Sequence, residues 1–304
     1  MGEADRHNSS GLLIHTMHTS YRGYRILLVH AHPDDETINN GATMAMYASL
    51  GAAITLVTCT RGEEGEILVE SLAHRAADKE DSLGDHRETE LADAMAALGV
   101  DDFRFLGEGL IKYRDSGMMG TDPNNRPECF WQANLSNAAQ HLVSVIEEVK
   151  PHVLVTYDEF GGYGHPDHIQ THRVAMKAAE LSEWKIPKIY WNIMPQSVIQ
   201  KGIDAMKEVG SDFMGAEKAE DLPFCKADTF VTTRIDGSSF VDAKMKAMAA
   251  HATQISLDGP FFALSNNVGT QMWGDEYYTL VEGEKSGPFD SSGYETDLFS
   301  GISI

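Results

Sequence analysis

Cysteines and basic residues are scarce in this chain of 304 residues. The three cysteines, Cys59, Cys129 and Cys225, lie far apart without a CxxC pair, which argues against a disulfide framework and against a thiolate zinc site. Lys and Arg total 24 against 46 Asp and Glu, a formal net charge of -22, whereas a protein that follows phosphates needs the opposite balance. We therefore expect a cytoplasmic protein that binds neither nucleic acid nor a membrane.

Long hydrophobic runs are also missing from the first part of the chain. Its first twenty residues contain only one short apolar run, at 11–14, which is too brief for a signal-peptide core or a membrane span. We predict that residues 1–22 form a disordered extension. A GxGxxG turn is missing as well: the first predicted strand is followed by HPDDE, which argues against a dinucleotide-dependent dehydrogenase.

Short aliphatic runs alternate with segments of helical composition. Strands are predicted at 25–31, 53–60, 103–106 and 152–156, and helices at 41–50, 88–99 and 138–149. This alternation predicts an α/β fold, with a Rossmann-like, largely parallel sheet and helices on both faces. After a strand at 188–191 the rhythm becomes less regular. A helix at 240–252 and the aromatics Trp273, Tyr277 and Tyr278 predict a smaller C-terminal α+β subdomain.

The first cluster of chemistry-bearing residues, HPDDE, begins at His32, directly after the first predicted strand. Ligands bind beyond the carboxyl ends of the strands in open α/β sheets, so polar residues are expected there. An imidazole and a carboxylate three residues apart can ligate one divalent ion, while the neighbouring carboxylate is free to take a proton. The alternative is a proline-broken turn whose Asp residues cap the next helix.

A second cluster, GGYGHPDH at 161–168, follows the fourth predicted strand. Taken alone, it could be a glycine-rich loop with Pro166 in the first turn of a helix. A parallel sheet would bring both His-Pro-Asp clusters to the same edge, which favours a metal site over two unrelated turns. Two histidines and one carboxylate leave open positions on an ion, as in hydrolytic sites. The set suits one Zn²⁺ per chain, and Fe²⁺ is also compatible.

These motifs resemble the PIG-L/LmbE family of zinc N-acetylglucosaminyl deacetylases, whose AHPDDE signature stands here at 31–36 and whose HPDH stands at 165–168. The resemblance extends along most of the chain and is closest to the members that deacetylate N-acetylglucosaminyl-inositol in mycothiol biosynthesis. The stretches that carry it are TCTRGEEGE (58–66), RDSGMMGTD (114–122), AHATQ (250–254), ALSNN (263–267) and ETDLFSG (295–301).

By position in the motifs, the resemblance implies that His32, Asp35 and His168 are the metal ligands. It gives Asp34 the role of general base toward the attacking water. It places His165 near the scissile amide, as a cationic stabiliser or acid. In this interpretation residues 23–190 form the Rossmann-like catalytic domain, and residues 191–304 form a subdomain that completes the substrate pocket.

The resemblance also implies roles around the substrate. Asp167 would orient the ring of His165, and Tyr163 would donate a hydrogen bond to the developing oxyanion. Arg87 and Asp115 match positions that hold the hydroxyls of the sugar and inositol. From the residues alone, Arg87 could instead be a helix-surface salt bridge within HRETE, and Asp115 a turn cap.

Three other functions stay open at this point. The segment TYDE at 156–159 and the Ile169 that follows HPDH look closer to the sister enzyme, mycothiol S-conjugate amidase. A deacetylase of another N-acetylglucosaminyl compound has the same chemistry. A small-molecule binding protein on this scaffold would be expected to have lost a ligand or Asp34, yet all are present. The sequence leaves the oligomeric state open.

Overall fold

The centre of the molecule is a mixed sheet, seen in a computed structural model that describes residues 20–208, 210, 215–256 and 274–304. Its strands in chain order are β1 (Arg25–His30), β2 (Ala53–Thr58), β3 (Asp102–Phe105), β4 (Val153–Thr156), β5 (Lys188–Pro195), β6 (Cys225–Lys226), β7 (Thr233–Asp236) and β8 (Asp275–Glu282). The spatial order is β3-β2-β1-β4-β5-β8-β7, and the short β6 pairs with β5 beside this path. The five strands from β3 to β5 are mutually parallel, so their carboxyl ends share one edge.

Helices cover both faces of this sheet. They are α1 (Asp35–Ser49), α2 (Leu83–Leu98), α3 (Leu135–Val149), the single turn α4 (Gly161–Gly164), α5 (Pro166–Leu181), α6 (Gln196–Glu208) and α7 (Val241–Ala250). Alternate residues of β1 enter two separate cores: Leu28 packs in the cluster that includes Leu91, and Leu27 in the cluster that includes Leu142. A strand buried on both faces explains why the sequence of β1 is a continuous aliphatic run rather than an alternating one.

The predicted α/β architecture is confirmed, and its first four strands stand within two residues of the predicted bounds. The first helix begins at Asp35 rather than at residue 41. The prediction missed its first two turns because their buried residues, such as Asn40, are polar and do not form an apolar pattern. The start of helix α5 agrees with the alternative that placed Pro166 in the first turn of a helix. Its extent was not predicted, because the buried residues of its first turns include Asp167, His168, Gln170 and Thr171 rather than apolar side chains. Helix α6 was also missed, although its face with Ile199 and Ile203 is regular.

The C-terminal part adds antiparallel strands to the same sheet. Strand β8 pairs with β5 and β7, and it carries Tyr277 and Tyr278, while Trp273 lies outside the described residues. Helix α7 contacts α1 and α2. Of the predicted disordered extension, residues 1–19 lie outside the described residues, whereas Tyr21 packs its ring against Phe299. Among the helices of the described ranges, none is long and apolar enough to cross a membrane.

Candidate metal and catalytic site

The two His-Pro-Asp clusters meet at the carboxyl edge of the sheet. The loop between β1 and α1 carries the first, and the loop between β4 and α5 carries the second, on neighbouring parallel strands. The ring centroids of His32 and His168 lie 5.2 Å apart. Both histidines line a cavity of about 580 Å³, a volume within the usual range for small-molecule sites. The two clusters thus lie together at the sheet edge where the sequence predicts them.

The Asp35 carboxylate lies close to one imidazole nitrogen of each cluster, in the wall of the cavity. Asp35 Oδ2 lies 3.2 Å from His32 Nδ1 and 3.3 Å from His168 Nε2. Burial favours the neutral form of Asp35, but His168 and His32 outweigh it and hold the pKa of this carboxyl well below its usual range. A charged carboxylate between two imidazole nitrogens is a donor set for a divalent cation.

The outer nitrogens of both imidazoles have partners that fix the rings. His168 Nδ1 lies 3.1 Å from the Gly161 carbonyl, which makes Nδ1 the donor and leaves the Nε2 lone pair facing Asp35. Among the described residues, that buried Nε2 has no hydrogen-bond partner. On the other side, His32 Nε2 lies 3.2 Å from Asp167 Oδ2. A carbonyl or carboxylate behind each ring is the usual support of a metal-binding histidine.

His165 lies beside this set and could belong to it by distance alone. His32, His165 and His168 each have a nitrogen within 4.8 Å of the others. However, the Asp167 N–H donates to His165 Nδ1 at 3.1 Å, so the neutral ring carries its proton on Nε2. Burial, with His32 and His168, lowers the pKa of His165 to about 3. His165 is thus a neutral ring with one N–H to donate.

Asp34 has an unusual backbone, and its carboxylate lies 3.4 Å from the Arg87 guanidinium. It precedes α1 with a φ of 117°, in the left-handed half of the map that a non-glycine residue rarely adopts. The alternative role as a helix cap is wrong for this residue, since its side chain makes no capping hydrogen bond. Burial raises the pKa of Asp34 to about 6, although the nearby Arg87 opposes this shift. The carboxylate lines the cavity.

Arg87 is 3 % exposed, so the alternative interpretation of it as a helix-surface salt bridge is wrong. Its guanidinium donates to the Pro33 and Gly62 carbonyls and lies 3.4 Å from Asp34 Oδ2. Two of the Arg87 side-chain N–H groups are therefore already bonded to main-chain carbonyls around the first cluster. Arg87 also lines the cavity.

Asp115 and Asp167 form the acidic wall on the far side of His32. Asp115 accepts hydrogen bonds from the Glu64 and Gly117 main-chain N–H groups, so it makes the predicted turn contact while also lining the cavity. Asp167 accepts from both the N–H and the hydroxyl of Ser116. It therefore holds His165 through its main-chain N–H, whereas its carboxylate faces His32.

Two tyrosines flank His168, and sequence reasoning identified only one of them. Tyr163 is 39 % exposed, lines the cavity and lies edge-on to His168 with ring centroids 4.9 Å apart. Tyr157 was missed: its ring stacks on His168 at 4.4 Å, and its hydroxyl accepts the Ala31 N–H. The signal was its position at the end of a buried strand. Ser116 was missed because a lone serine in a loop has no signature.

Comparison with known proteins identifies similar sequences, most of them deacetylases by name. Residues 27–179 match the PIG-L family, described as GlcNAc-PI de-N-acetylase. The 1D-myo-inositol 2-acetamido-2-deoxy-alpha-D-glucopyranoside deacetylase 1 of Catenulispora acidiphila is 56% identical over 293 residues, 92% of this chain and 90% of that protein. The deacetylase of the same name from Geodermatophilus obscurus is 53% identical over 291 residues, 91% and 98% of the two chains.

Solved structures share the fold at low sequence identity. The N,N'-diacetylchitobiose deacetylase of Pyrococcus horikoshii aligns with a TM-score of 0.53 at 18% identity, covering 84% of this chain and 83% of that one. The 4-carboxy-2-hydroxymuconate hydratase GalB of Pseudomonas putida aligns with a TM-score of 0.58, also at 18% identity, covering 88% and 100%. A deacetylase and a hydratase on one scaffold show that the fold alone does not determine the reaction.

Proposed function

The chain belongs to the PIG-L family, and we propose that it is a metal-dependent deacetylase of N-acetylglucosaminyl-inositol, the substrate in its relatives' names, in mycothiol biosynthesis. The reaction hydrolyses the acetamide to a free amine and acetate. The observation that carries the proposal is that Asp35 Oδ2 lies 3.2 Å from His32 Nδ1 and 3.3 Å from His168 Nε2, in a cavity that Asp34 also lines.

The donor set suits one Zn²⁺ per chain, with Fe²⁺ as the other candidate. The fit rests on His168 Nε2, which is buried and has no hydrogen-bond partner within the described ranges, and on the charged Asp35 beside it. The alternative set with His165 in place of Asp35 would need the ring to give up its Nε2 proton, because Nδ1 already accepts the Asp167 N–H. When bound, the ion supplies Lewis-acid polarisation and an acidified water.

The chain's own residues then divide the proton transfers. Asp34 takes the proton of the attacking water, a task that suits a carboxyl whose pKa is raised toward neutrality. The Nε2–H of His165 and the hydroxyl of Tyr163 donate hydrogen bonds to the charge that develops on the amide oxygen. The proton that Asp34 takes from the water then passes to the leaving amine, while the neutral His165 keeps its Nε2–H and acts only as a hydrogen-bond donor.

Arg87 and Asp115 are proposed to bind hydroxyl groups of the sugar and inositol. The rest of the cavity is lined from beyond residue 190, by residues that include Asn192, Phe224 and Lys226. We propose on this basis that residues 191–304 complete the substrate pocket of the catalytic part, residues 23–190. Paired polar contacts discriminate strongly, because a wrong ligand leaves them buried and unpaired.

The test is a side-by-side comparison of three substrates with the metal-loaded chain. We expect kcat/KM for N-acetylglucosaminyl-inositol to exceed the values for free N-acetylglucosamine and for a mycothiol S-conjugate. Asp115→Ala and Arg87→Ala should remove the preference for the inositol-bearing sugar while the metal stays bound. Asp85→Ala, on the exposed side of α2, is the matched control and should keep the preference.

Each alternative has its own outcome in this assay. Faster cleavage of the S-conjugate would contradict the deacetylase assignment and leave the metal mechanism standing. Faster cleavage of free N-acetylglucosamine would indicate that the substrate of the enzyme is another N-acetyl sugar. Binding of all three compounds without turnover, in a chain that holds its metal, would identify a binding protein.

A further inference from the structure

A buried acid–imidazole pair lies directly beneath the site. Glu36, in the first turn of α1, and His251, directly after α7, are both 0 % exposed, and His251 Nε2 lies 3.0 Å from Glu36 Oε1. Neither residue lines the cavity. Replacing such a pair by apolar residues is often neutral or stabilising, so burial alone does not explain its presence.

The second oxygen of Glu36 connects this pair to Asp34. Glu36 Oε2 accepts the main-chain N–H of Asp34 at 3.0 Å, and Thr37 Oγ1 donates to Oε1 at 2.6 Å. The N–H of the residue before a helix normally needs a partner, and a glutamate in the first turn often supplies it. Here the N–H belongs to the residue with a φ of 117°, a conformation that persists only where the surroundings hold it.

The side chain of Asp34 does not take part in capping the start of α1. An aspartate at this position commonly turns its carboxylate back onto the first-turn N–H groups. Asp34 makes no such bond, and its carboxylate faces the cavity. Glu36 binds the backbone of Asp34 instead, and His251 fixes the Glu36 carboxylate from the opposite side.

We infer that Glu36 and His251 are positioning residues for the catalytic base, holding the backbone of Asp34 so that its carboxylate points at the attacking water. The inference rests on the proposed function, because it takes Asp34 as the base. It also assigns a task to the AHATQ segment at 250–254, whose histidine otherwise has none.

The same segment offers a control that does not involve Asp34. Two residues beyond His251, the hydroxyl of Thr253 donates to Glu90 Oε2 at 2.6 Å, and its main-chain N–H donates to Oε1 at 2.8 Å. Thr253 is fully buried and does not line the cavity. Thr253→Val removes the hydroxyl that donates to Glu90 and accepts from the Gln254 amide, so we expect it to lower stability without touching Glu36.

The experiment compares His251→Ala, His251→Gln and Thr253→Val in the metal-loaded chain. An amide side chain can still donate to Glu36, so His251→Gln should keep most of the turnover. His251→Ala should lower kcat by about 10- to 100-fold with KM and metal content unchanged. Thr253→Val should lower the melting temperature and leave kcat within about twofold. Equal loss of kcat in all three variants would make the pair a purely structural contact.

A double-mutant cycle with Asp34→Asn tests whether the effect passes through the base. If it does, adding His251→Ala to Asp34→Asn costs no further turnover. Full additivity of the two effects overturns the inference. Should His251→Ala fail to fold, Glu36→Gln, which weakens the acceptor of the Asp34 N–H, takes its place in the cycle with the same two outcomes. Inactive wild-type protein under the same conditions would instead reject the proposed function, so the two failures are distinguishable.

Discussion

The tripeptide His-Pro-Asp occurs twice at the site and folds in two different ways. In the first copy the helix starts only after the tripeptide, so Asp34 precedes α1, with a φ of 117° and a side chain 17% exposed. In the second copy His165 caps α5, and the helix starts at Pro166. Asp167 therefore lies inside the first turn, with its side chain 0% exposed.

The position of each aspartate relative to the start of the following helix decides which contacts its carboxylate makes. Outside the helix, the Asp34 carboxylate is free to face the cavity. Inside the first turn, the Asp167 carboxylate turns to Ser116 and His32 and becomes a support for a candidate metal ligand. The residue that follows each tripeptide, Asp35 or His168, supplies a candidate ligand in both copies. Both copies thus contribute to the candidate metal site, and they differ in the contacts that their aspartates make.

The largest expected effect is the loss of the ion. His168→Ala should release the metal and reduce turnover below detection, because the donor set loses a buried ring nitrogen that has no hydrogen-bond partner among the described residues. Metal analysis of the purified variant, together with the deacetylation assay, measures both. Full metal content in His168→Ala would show that His168 is not a metal ligand and that a different residue binds the ion.

His165→Ala tests the histidine that opens the second copy. We expect metal content close to that of the wild type and a kcat lower by about 100-fold or more, since a donor to the reacting amide is lost. His172→Ala, on the next turn of α5 and outside the cavity, serves as the control and should keep its turnover. A metal-free His165→Ala protein would place this ring, rather than Asp35, among the ligands.

Asp167→Asn should have the smallest effect of the three. It keeps the main-chain N–H that binds His165 but weakens the support behind His32, so we expect a loss of about 10- to 100-fold in metal affinity. Turnover at saturating metal should fall much less than in Asp34→Asn. A metal titration of kcat separates the two quantities, and equal losses at saturating metal in Asp167→Asn and Asp34→Asn would break the distinction between the two copies.

The sequence predicted the location of the site better than its internal arrangement. Aliphatic strands followed by His-Pro-Asp are local signals, so β1, β4 and the meeting of the two clusters could be predicted. The extent of α5 beyond Pro166 could not, because the buried residues of its first turns include His168, Gln170 and Thr171 rather than an apolar stripe. The Glu36–His251 contact joins residues 215 positions apart, and no local pattern records such a pair.

The same limit applies to the supports of the site. Ser116 and Tyr157 are ordinary residues in sequence, and only the fold brings the first to Asp167 and the second onto His168. Arg87 lies on a helix whose charged neighbours suggest an exposed face, yet it points inward to the Pro33 and Gly62 carbonyls. Roles that depend on the direction of a side chain require the structure.

The adjacent aspartates have different proposed roles, Asp34 as the general base and Asp35 as a metal ligand. Parallel measurements on two variants test this difference. Metal content and kcat are determined for Asp34→Asn and Asp35→Asn, prepared in parallel. We predict that Asp34→Asn keeps its ion and loses about 100- to 10,000-fold in turnover, whereas Asp35→Asn loses the ion as well as the activity. Loss of metal from Asp34→Asn, with metal retained by Asp35→Asn, would contradict the assignment.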